Sequence, residues 1–512
     1  MRRWMLILLL GSSLQAQALA PAPIKCGFSL HAPLRFPALD TRTDHRPVRD
    51  TLYSTPDGAF AIHYDTTGGH RPPQFSSSPA GVPDWVVEVG AAFSLARDTL
   101  LAWGYQGHRD DGDGVYDVYL GNEGGSVYGG TEFEALQPDG GYITYITMDN
   151  DFDTEENYFT HGLDAARVTA AHEYFHAVQL AYLFRAADLY LYELSSTWFE
   201  ERAFPEVNDW TFWMDDFIIM TQPKLSASDG YGAAFFGHYL AGRYGVGVIG
   251  DTWERMLSDR AIDALRKAIS AAGGDIATDW NAAVAGLLLN GRSPARYYHP
   301  DQDFLPRPVL PDSIVVAASL LLSADNLNID KVVWLPLKLT KAETLRLTVS
   351  GATAPYAASV VYSAGTDYRW EPMENQLWEN GGLDRFSEIV LAVSGDMGSV
   401  NFLADVAGDS GLALFAMRSV VPNPIKLGSG AAGLTIRYRV GEVIELAEHR
   451  ITIFNLLGQQ VYQARFERSV DISDYQYIIP LSGLARLPSG IYFVRLSING
   501  KHHLVGKFTA LN

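Results

Sequence analysis

The chain has 512 residues, of which 47% are hydrophobic, 19% charged and 12% aromatic. That length suffices for about three folded units, and the composition excludes wholesale disorder and a fibrous repeat. With 39 Lys+Arg against 59 Asp+Glu the net charge is −20, which repels polyphosphate and argues against nucleic acid or anionic lipid as a partner.

Arg2 and Arg3 precede an apolar run over residues 4–10, followed by small and polar residues up to Ala18. This is the order of a secretory signal peptide, expected at residues 1–18 with cleavage after Ala18. The run is far short of the roughly 20 apolar residues that a membrane span needs, and no transmembrane segment is expected elsewhere. Residues 19–50, rich in Pro, Arg and His, read as a pro-segment or linker. Their Cys26 is the only cysteine of the chain, so no intramolecular disulfide exists, and core packing or metal must stabilise the exported protein. The small residue that a lipoprotein signal places before its cysteine is missing (Lys25), so no lipid anchor is expected.

Regular patterning begins near Thr51. Residues 83–103 carry Val86, Val89, Phe93, Ala96 and Leu100 at helical spacing. Short β-rich runs follow at 115–120 and 142–148. Residues 164–270 are mainly helical, and prolines 294, 300, 306, 308 and 311 mark a boundary. Beyond it the periodicity becomes two, at 332–339, 345–349, 389–393 and 400–406, which suggests a β-sandwich.

One constellation carries chemistry. His172-Glu173-Tyr174-Phe175-His176 contains His-Glu-x-x-His, and residues four apart on a helix lie one above the other, so both imidazoles can share one metal ion. Glu173 is offset by one position, in reach of a water at that metal without being a ligand. This suits zinc that acidifies the water while a carboxylate takes its proton. Chance gives roughly 0.04 such matches at this composition. The surroundings strengthen the reading, because residues 164–184 hold no Gly or Pro and open with an acid suited to a helix N-terminus. A third ligand should follow, and a second amphipathic helix over 190–201 offers Glu193. Glu200, at i+7, shares its face, whereas Glu201 is turned away by about 80°. Solvated helix charges remain the alternative for each of the three.

A weaker metal pattern is Asp110-Asp111-Gly112-Asp113-Gly114-Val115-Tyr116-Asp117, in which Asp111, Asp113 and Asp117 are candidate calcium ligands. Arg109 stands where an EF-hand needs an acid, no bidentate Glu follows on schedule, and the run also suits an ordinary Asp/Gly turn.

His-Glu-x-x-His on one helix with a glutamate on the next resembles the layout of the gluzincin zinc peptidases, the thermolysin-like group. Tyr190-Leu191-Tyr192-Glu193, with Trp198 and Glu200, is also similar to the W-x-x-E-G-x-A-x-W-x-E stretch of secreted bacterial metalloproteases. The resemblance implies His172, His176 and Glu193 as zinc ligands and Glu173 as general base in peptide hydrolysis. Leu194 and Ser195 depart from that stretch, and Thr197 stands where thermolysin-like enzymes orient a histidine with Asp, which leaves Thr197 or Glu200 to support a ligand from outside. Gluzincins also use a later Tyr or His as oxyanion donor. Tyr231 is the candidate and His238 the reserve, with a core aromatic helix as the alternative.

The tail alternates strictly, with Gly and Asn at its corners, as a small antiparallel sandwich does. Its motifs occur in order: Asn423-Pro424, then Ile451, Ile453, Asn455, Gly458 and Val461, then Leu487, Ser489, Gly490, Ile491, Tyr492, Val494 and Leu496. They resemble the type A C-terminal sorting domain of the type IX secretion system over residues 420–512. This implies passage through the periplasm and outer membrane to the cell surface or medium, with the secretion machinery as a partner.

The expected architecture is therefore multidomain: an α+β gluzincin-like metallopeptidase domain at 51–300, a β-sandwich spacer or accessory domain at 305–415, and a C-terminal Ig-like β-sandwich sorting domain at 420–512. The expected cofactors are Zn2+ and, at the acidic turn, Ca2+. The expected substrate is a protein or peptide, and the absence of an amine-binding motif favours an endopeptidase over an aminopeptidase. The alternative is a non-catalytic surface or adhesion protein with a structural or degraded metal site, whose sandwich binds glycan or protein; Tyr368, Trp370 and Trp378 are candidates to stack on a sugar, with core packing as their other reading.

Overall fold

The computed structural model describes residues 23–27, 46–77, 79–292, 305–317, 319–340, 343–364, 367–383, 385–408, 415–427, 433–440, 444–470, 473–485, 487–500 and 502–511. The signal peptide read at 1–18 and much of the 19–50 head lie outside the described residues. The chain divides into two compact units, Met1–Ile218 with Leu225–Asp275, and Ile219–Lys224 with Ile276–Asn512.

The first unit is built on a five-stranded mixed sheet in the order β1-β2-β3-β5-β4. Its strands are β1 (Thr51–Ser54), β2 (Phe60–Tyr64), β3 (Tyr116–Gly121), β4 (Gly129–Leu136) and β5 (Tyr142–Asp149). β2, β3 and β5 run parallel, whereas β1 and β4 pair antiparallel at the two edges. The β2-to-β3 connection holds α1 (Asp84–Ala102), whose Val86, Val89, Phe93, Ala96 and Leu100 are all buried. Phe93 meets Phe60 of β2 at 5.5 Å between ring centroids, so the apolar stripe of α1 covers the sheet.

Helix α2 (Gly162–Tyr182) is buried on every side: from Ala165 to Tyr182 only Arg167 is left out of the core. A helix apolar all round belongs in the interior rather than on a surface. Tyr174 packs edge-on against Phe60 of the sheet at 5.4 Å, while the next residue, Phe175, packs on Phe199 of α3 (Leu189–Ala203) at 5.3 Å. α2 is thus held between sheet and α3, and its polar side chains have no water to face. The unit continues through α4 (Asp215–Ile218), α5 (Ala234–Tyr244), α6 (Gly247–Met256) and α7 (Ala261–Ala271). Helix α5 lies close on α3 because Gly237 has no side chain: a Cβ there would stand 2.7 Å from the Trp198 ring.

The sequence reading closed the metal-site domain at residue 300, but the division falls at Asp275. Helix α8 (Ile276–Gly286) belongs to the second unit. The reason is polar as well as apolar: buried Asn281 accepts from Ser359 Oγ at 2.6 Å and donates to Ser394 Oγ at 3.4 Å.

In the second unit, β6 (Ile314–Val316), β7 (Leu320–Leu327), β8 (Val333–Leu339), β9 (Glu343–Ala352), β10 (Tyr356–Ala364), β11 (Asp367–Pro372), β12 (Leu377–Leu383), β13 (Ile389–Gly395) and β14 (Gly398–Gly408) form two sheets, ordered β11-β10-β13-β8-β6 and β12-β9-β14-β7. Their inner faces share a core that includes Val360, Leu391, Val393, Leu345, Leu347 and Phe402. Trp378 is a member of that core, donating to Glu371 Oε2 at 2.6 Å, and the Arg292 guanidinium covers Tyr368 at 4.5 Å. Trp378 is therefore engaged within the core, whereas Tyr368 is half-buried. A second apolar core, with Ile436, Tyr438, Ile451, Ile453, Val494 and Leu496, lies between a sheet of β15 (Phe415–Val421), β17 (Gly433–Val440) and β20 (Ser473–Pro480) and a sheet of β16 (Ile425–Lys426), β22 (His502–Leu511), β21 (Gly490–Ile498), β18 (Ile444–Asn455) and β19 (Gln460–Val470), each in that order. Among the described residues no helix is long and apolar enough to cross a membrane.

Candidate metal centre

Helices α2 and α3 bring three donor atoms to one point. His172 Nε2 and His176 Nε2 are 3.0 Å apart, and Glu193 Oε2 lies 3.2 Å from each. A four-coordinate zinc with bonds of about 2.0–2.1 Å spaces its donors roughly 3.3 Å apart, so the three atoms fit such an ion. The chemistry of the set agrees. Both Glu193 oxygens are buried without a hydrogen bond, and a buried carboxylate oxygen left bare is costly unless a cation faces it. Burial pushes the Glu193 carboxyl upward, but His176 and His172 outweigh it and hold it at about 2. Burial likewise lowers His172, and the neighbouring Glu193 and Glu200 carboxylates reverse this and raise it to about 9. The cluster attracts positive charge.

Each imidazole is fixed from behind. His172 Nδ1 donates to Glu200 Oε1 at 2.6 Å, which leaves Nε2 free of its proton for a metal. His176 Nδ1 is bonded to Gln179 Oε1 at 2.7 Å, and the Gln179 amide donates onward to Tyr192 O, Ser195 Oγ and Ser196 Oγ at 3.0–3.1 Å. Gln179 escaped the sequence reading, although it lies three residues after His176 and so on the same helix face. Thr197, the other candidate for such support, is buried with its hydroxyl unbonded. Glu173 is fully buried, receives the Thr131 hydroxyl at 2.9 Å, and burial pushes its carboxyl upward.

Tyr231 opens a short turn before α5, and its ring stacks 6.1 Å from that of His172. Burial drives its phenol well above the ordinary range. Gly230, at φ +104°, makes this approach possible: a Cβ there would stand 2.3 Å from Tyr190 O and 2.7 Å from Glu193 Cβ. His238 is turned elsewhere, against Trp210 at 4.8 Å.

The head of the chain reaches the same place. Residues 23–27 lie along the start of edge strand β4: Ile24 N donates to Ser126 O, Tyr128 N to Ile24 O, and Gly27 N to Gly129 O, at 2.7–3.1 Å. Cys26 Sγ joins His172, His176 and Glu193, all four donor atoms lying within 4.8 Å of one another. Lys25 donates to Glu200 Oε2 at 2.7 Å and to Asp209, all three groups being buried. Burial lowers Lys25, yet Asp209 and Glu200 overcome this and raise it above its usual value. Nothing local in the sequence marks residues 23–27 for this position.

The acidic turn differs from the set expected for calcium. Asp117 is paired with Arg46 and with His63 at 2.6 Å, and Asp111 with Arg46 at 2.7 Å. Asp110 caps Gly112 and Gly114, and Asp113 caps Val115. Asp110, Asp111 and Asp113 form an exposed group, and Asp117 is not part of it. A second acidic group, Asp149, Asp151 and Glu156, was not anticipated.

Residues 419–509 match the secretion system C-terminal sorting domain. The protein is thus secreted, to the cell surface or beyond, by the type IX route, and its sorting domain engages that machinery. No curated protein matches the chain. Among solved structures it is similar to β-glucuronidase of Bacteroides uniformis, at 10% identity over 38% of this chain and 26% of that one, with a TM-score of 0.21. A glycosyl hydrolase family 2 member of Bacteroides cellulosilyticus gives 9%, 38%, 28% and 0.20, and the Bifidobacterium dentium β-glucuronidase 9%, 35%, 39% and 0.19. The chain thus spans well under half of each, and at such TM-scores the likeness carries no argument.

The sorting domain's polar motif residues hold its turns and chain ends, while most of its apolar ones fill the core. Asn455 Oδ1 accepts from Leu457 N and Gln459 N at 3.0 and 2.9 Å, and Gly458 takes φ +75° between them. Asn423 Oδ1 accepts from Thr509 N at 2.9 Å, and Tyr492 donates to Pro488 O at 2.8 Å.

Proposed function

We propose that the first unit is a zinc-dependent peptidase of gluzincin type, with His172, His176 and Glu193 holding the metal and Glu173 as general base. The observation that carries this reading is the convergence of three buried donor atoms at 3.0–3.2 Å, with no hydrogen bond to either Glu193 oxygen. The metal, when bound, supplies Lewis acidity toward water and the substrate carbonyl. Glu173 takes a proton from the attacking water and passes it to the leaving amine. Its upward shift, caused by burial, moves it toward the working pH of a base. Tyr231, beside His172, donates to the developing oxyanion. Glu200 and Gln179 orient the two imidazoles.

A peptide substrate is supported by the stretch leading into β4, where the main chain of Ser126, Tyr128 and Gly129 already hydrogen-bonds that of Ile24 and Gly27, on both sides of Cys26. A groove that accepts chain on both sides favours an endopeptidase.

The test is metal content together with casein hydrolysis, for the protein and for Glu173→Gln. Bound zinc in both, with hydrolysis only in the first, supports the reading. Equal hydrolysis removes Glu173 from its role. One observation favours the rival, a non-catalytic surface protein: with Cys26 the cluster has four protein donors, the closed set of a structural site.

A further inference from the structure

We infer that residues 23–27 are an internal inhibitor of the metal centre, with Cys26 as a displaceable fourth ligand. This rests on the metal site proposed above and adds its regulation. Four observations converge on the segment. Its thiol shares one cluster with His172, His176 and Glu193. The buried Glu193 oxygens in that cluster make no hydrogen bond. The thiol is also a hydrogen-bond partner of Glu173, so it lies beside both the base and the metal donors, where an attacking water has to be. Its backbone is tied by main-chain hydrogen bonds to the stretch that leads into β4: Ile24 to Ser126 and Tyr128, and Gly27 to Gly129, the first residue of the strand.

Lys25 makes the placement specific. Its ammonium fills the space between Glu200 and Asp209, and Glu200 is the carboxylate that orients His172. The segment is therefore keyed to the metal site by a charge as well as by a thiol. Opening is an exchange of ligands: Cys26 departs, takes up a proton, and water fills its position. No oxidant or reductant is needed. A thiolate and a water compete for one coordination position, so the protein with Cys26 in place is closed to substrate and to any small ligand of the metal.

The experiment uses the full chain loaded with Co2+, and acetohydroxamate as a small metal-binding probe, so its readout does not depend on peptide hydrolysis. The protein is expected to show thiolate-to-cobalt charge-transfer absorption and no spectral response to acetohydroxamate. Cys26→Ser should lose that absorption and bind acetohydroxamate at least ten-fold more tightly. Absence of the charge-transfer band in the unaltered protein overturns the inference. So does equal acetohydroxamate binding by both proteins, or loss of cobalt by a folded Cys26→Ser, which would make Cys26 a structural ligand. Should Cys26→Ser fail to fold, a mercurial decides, because Cys26 is the only thiol in the chain: acetohydroxamate binding after mercuration supports the inhibitor, and its absence overturns it. Casein hydrolysis by Cys26→Ser then tests the peptidase separately. Acetohydroxamate binding without hydrolysis supports the inhibitory segment and rejects the peptidase.

Discussion

Glu200 Oε1 lies 2.6 Å from His172 Nδ1, deep in the protein, and this contact sets which nitrogen of the imidazole is available to a metal. A carboxylate behind a histidine ligand fixes the tautomer and raises the basicity of the ring. Glu200→Gln retains the shape and an acceptor oxygen but removes the charge. Metal affinity should fall by about 10–100-fold, measured by competition with a chromogenic chelator. Unchanged affinity would show that His172 needs no charged partner.

Gln179 plays the matching part for His176, and it also ties α2 to α3 through Tyr192, Ser195 and Ser196. Gln179→Leu would leave one ring nitrogen, two hydroxyls and a carbonyl with fewer bonds in a dry interior. Each buried polar group left unsatisfied costs about 1–3 kcal/mol. The variant should therefore unfold several degrees lower than the parent in calorimetry even without metal, which separates this effect from metal loss.

How much of this was legible in the sequence follows from distance along the chain. His172, Glu173 and His176 announce themselves because four residues make about one helical turn. Glu193 and Glu200 sit two turns apart on α3, so their shared face is also periodic, and Gln179 could have been read at i+3 from His176 by the same rule. The helix read at 164–184 is α2 at Gly162–Tyr182, and that read at 190–201 lies within α3. Cys26 and Lys25 were not legible, because only tertiary folding carries the head to edge strand β4. Asp117 was misread for a related reason: its partners His63 and Arg46 come from distant segments. Helix α8 looks apolar whichever unit it covers, and only tertiary packing, with the buried Asn281 bonds to Ser359 and Ser394, assigns it.

An aromatic path leads from the surface to Tyr231. Phe212 and Phe159, 52% and 41% exposed, stack at 5.5 Å; Phe159 meets Trp213 at 5.1 Å, and Trp213 meets Tyr231 at 5.5 Å. If Tyr231 acts as proposed, exposed rings that reach it through Trp213 suit an apolar substrate side chain. In the Cys26→Ser protein, Phe212→Ala should raise KM several-fold for peptides with large apolar residues and leave kcat nearly unchanged, the pattern of lost uniform binding. A fall in kcat alone would place the pair outside the substrate path.

Protonation of His108 should be felt between pH 4 and 6.5. Burial lowers its pKa from 6.5 to about 4, against the pull of Asp110, and its Nδ1 is bonded to Tyr174 Oη at 3.0 Å. In that window the unfolded chain binds a proton that the folded protein refuses, so stability rises with pH. The contribution is complete above pH 6.5 and is lost as pH falls toward 4, amounting to at most about 3 kcal/mol. His108→Gln should flatten this part of the stability profile, measured on metal-free protein by denaturant unfolding at several pH values. The variant can be less stable at pH 7, where the Tyr174 bond is altered, yet its loss on acidification should be smaller than the parent's. A parallel profile in the two proteins would show that His108 takes up its proton in the folded state as easily as in the unfolded chain.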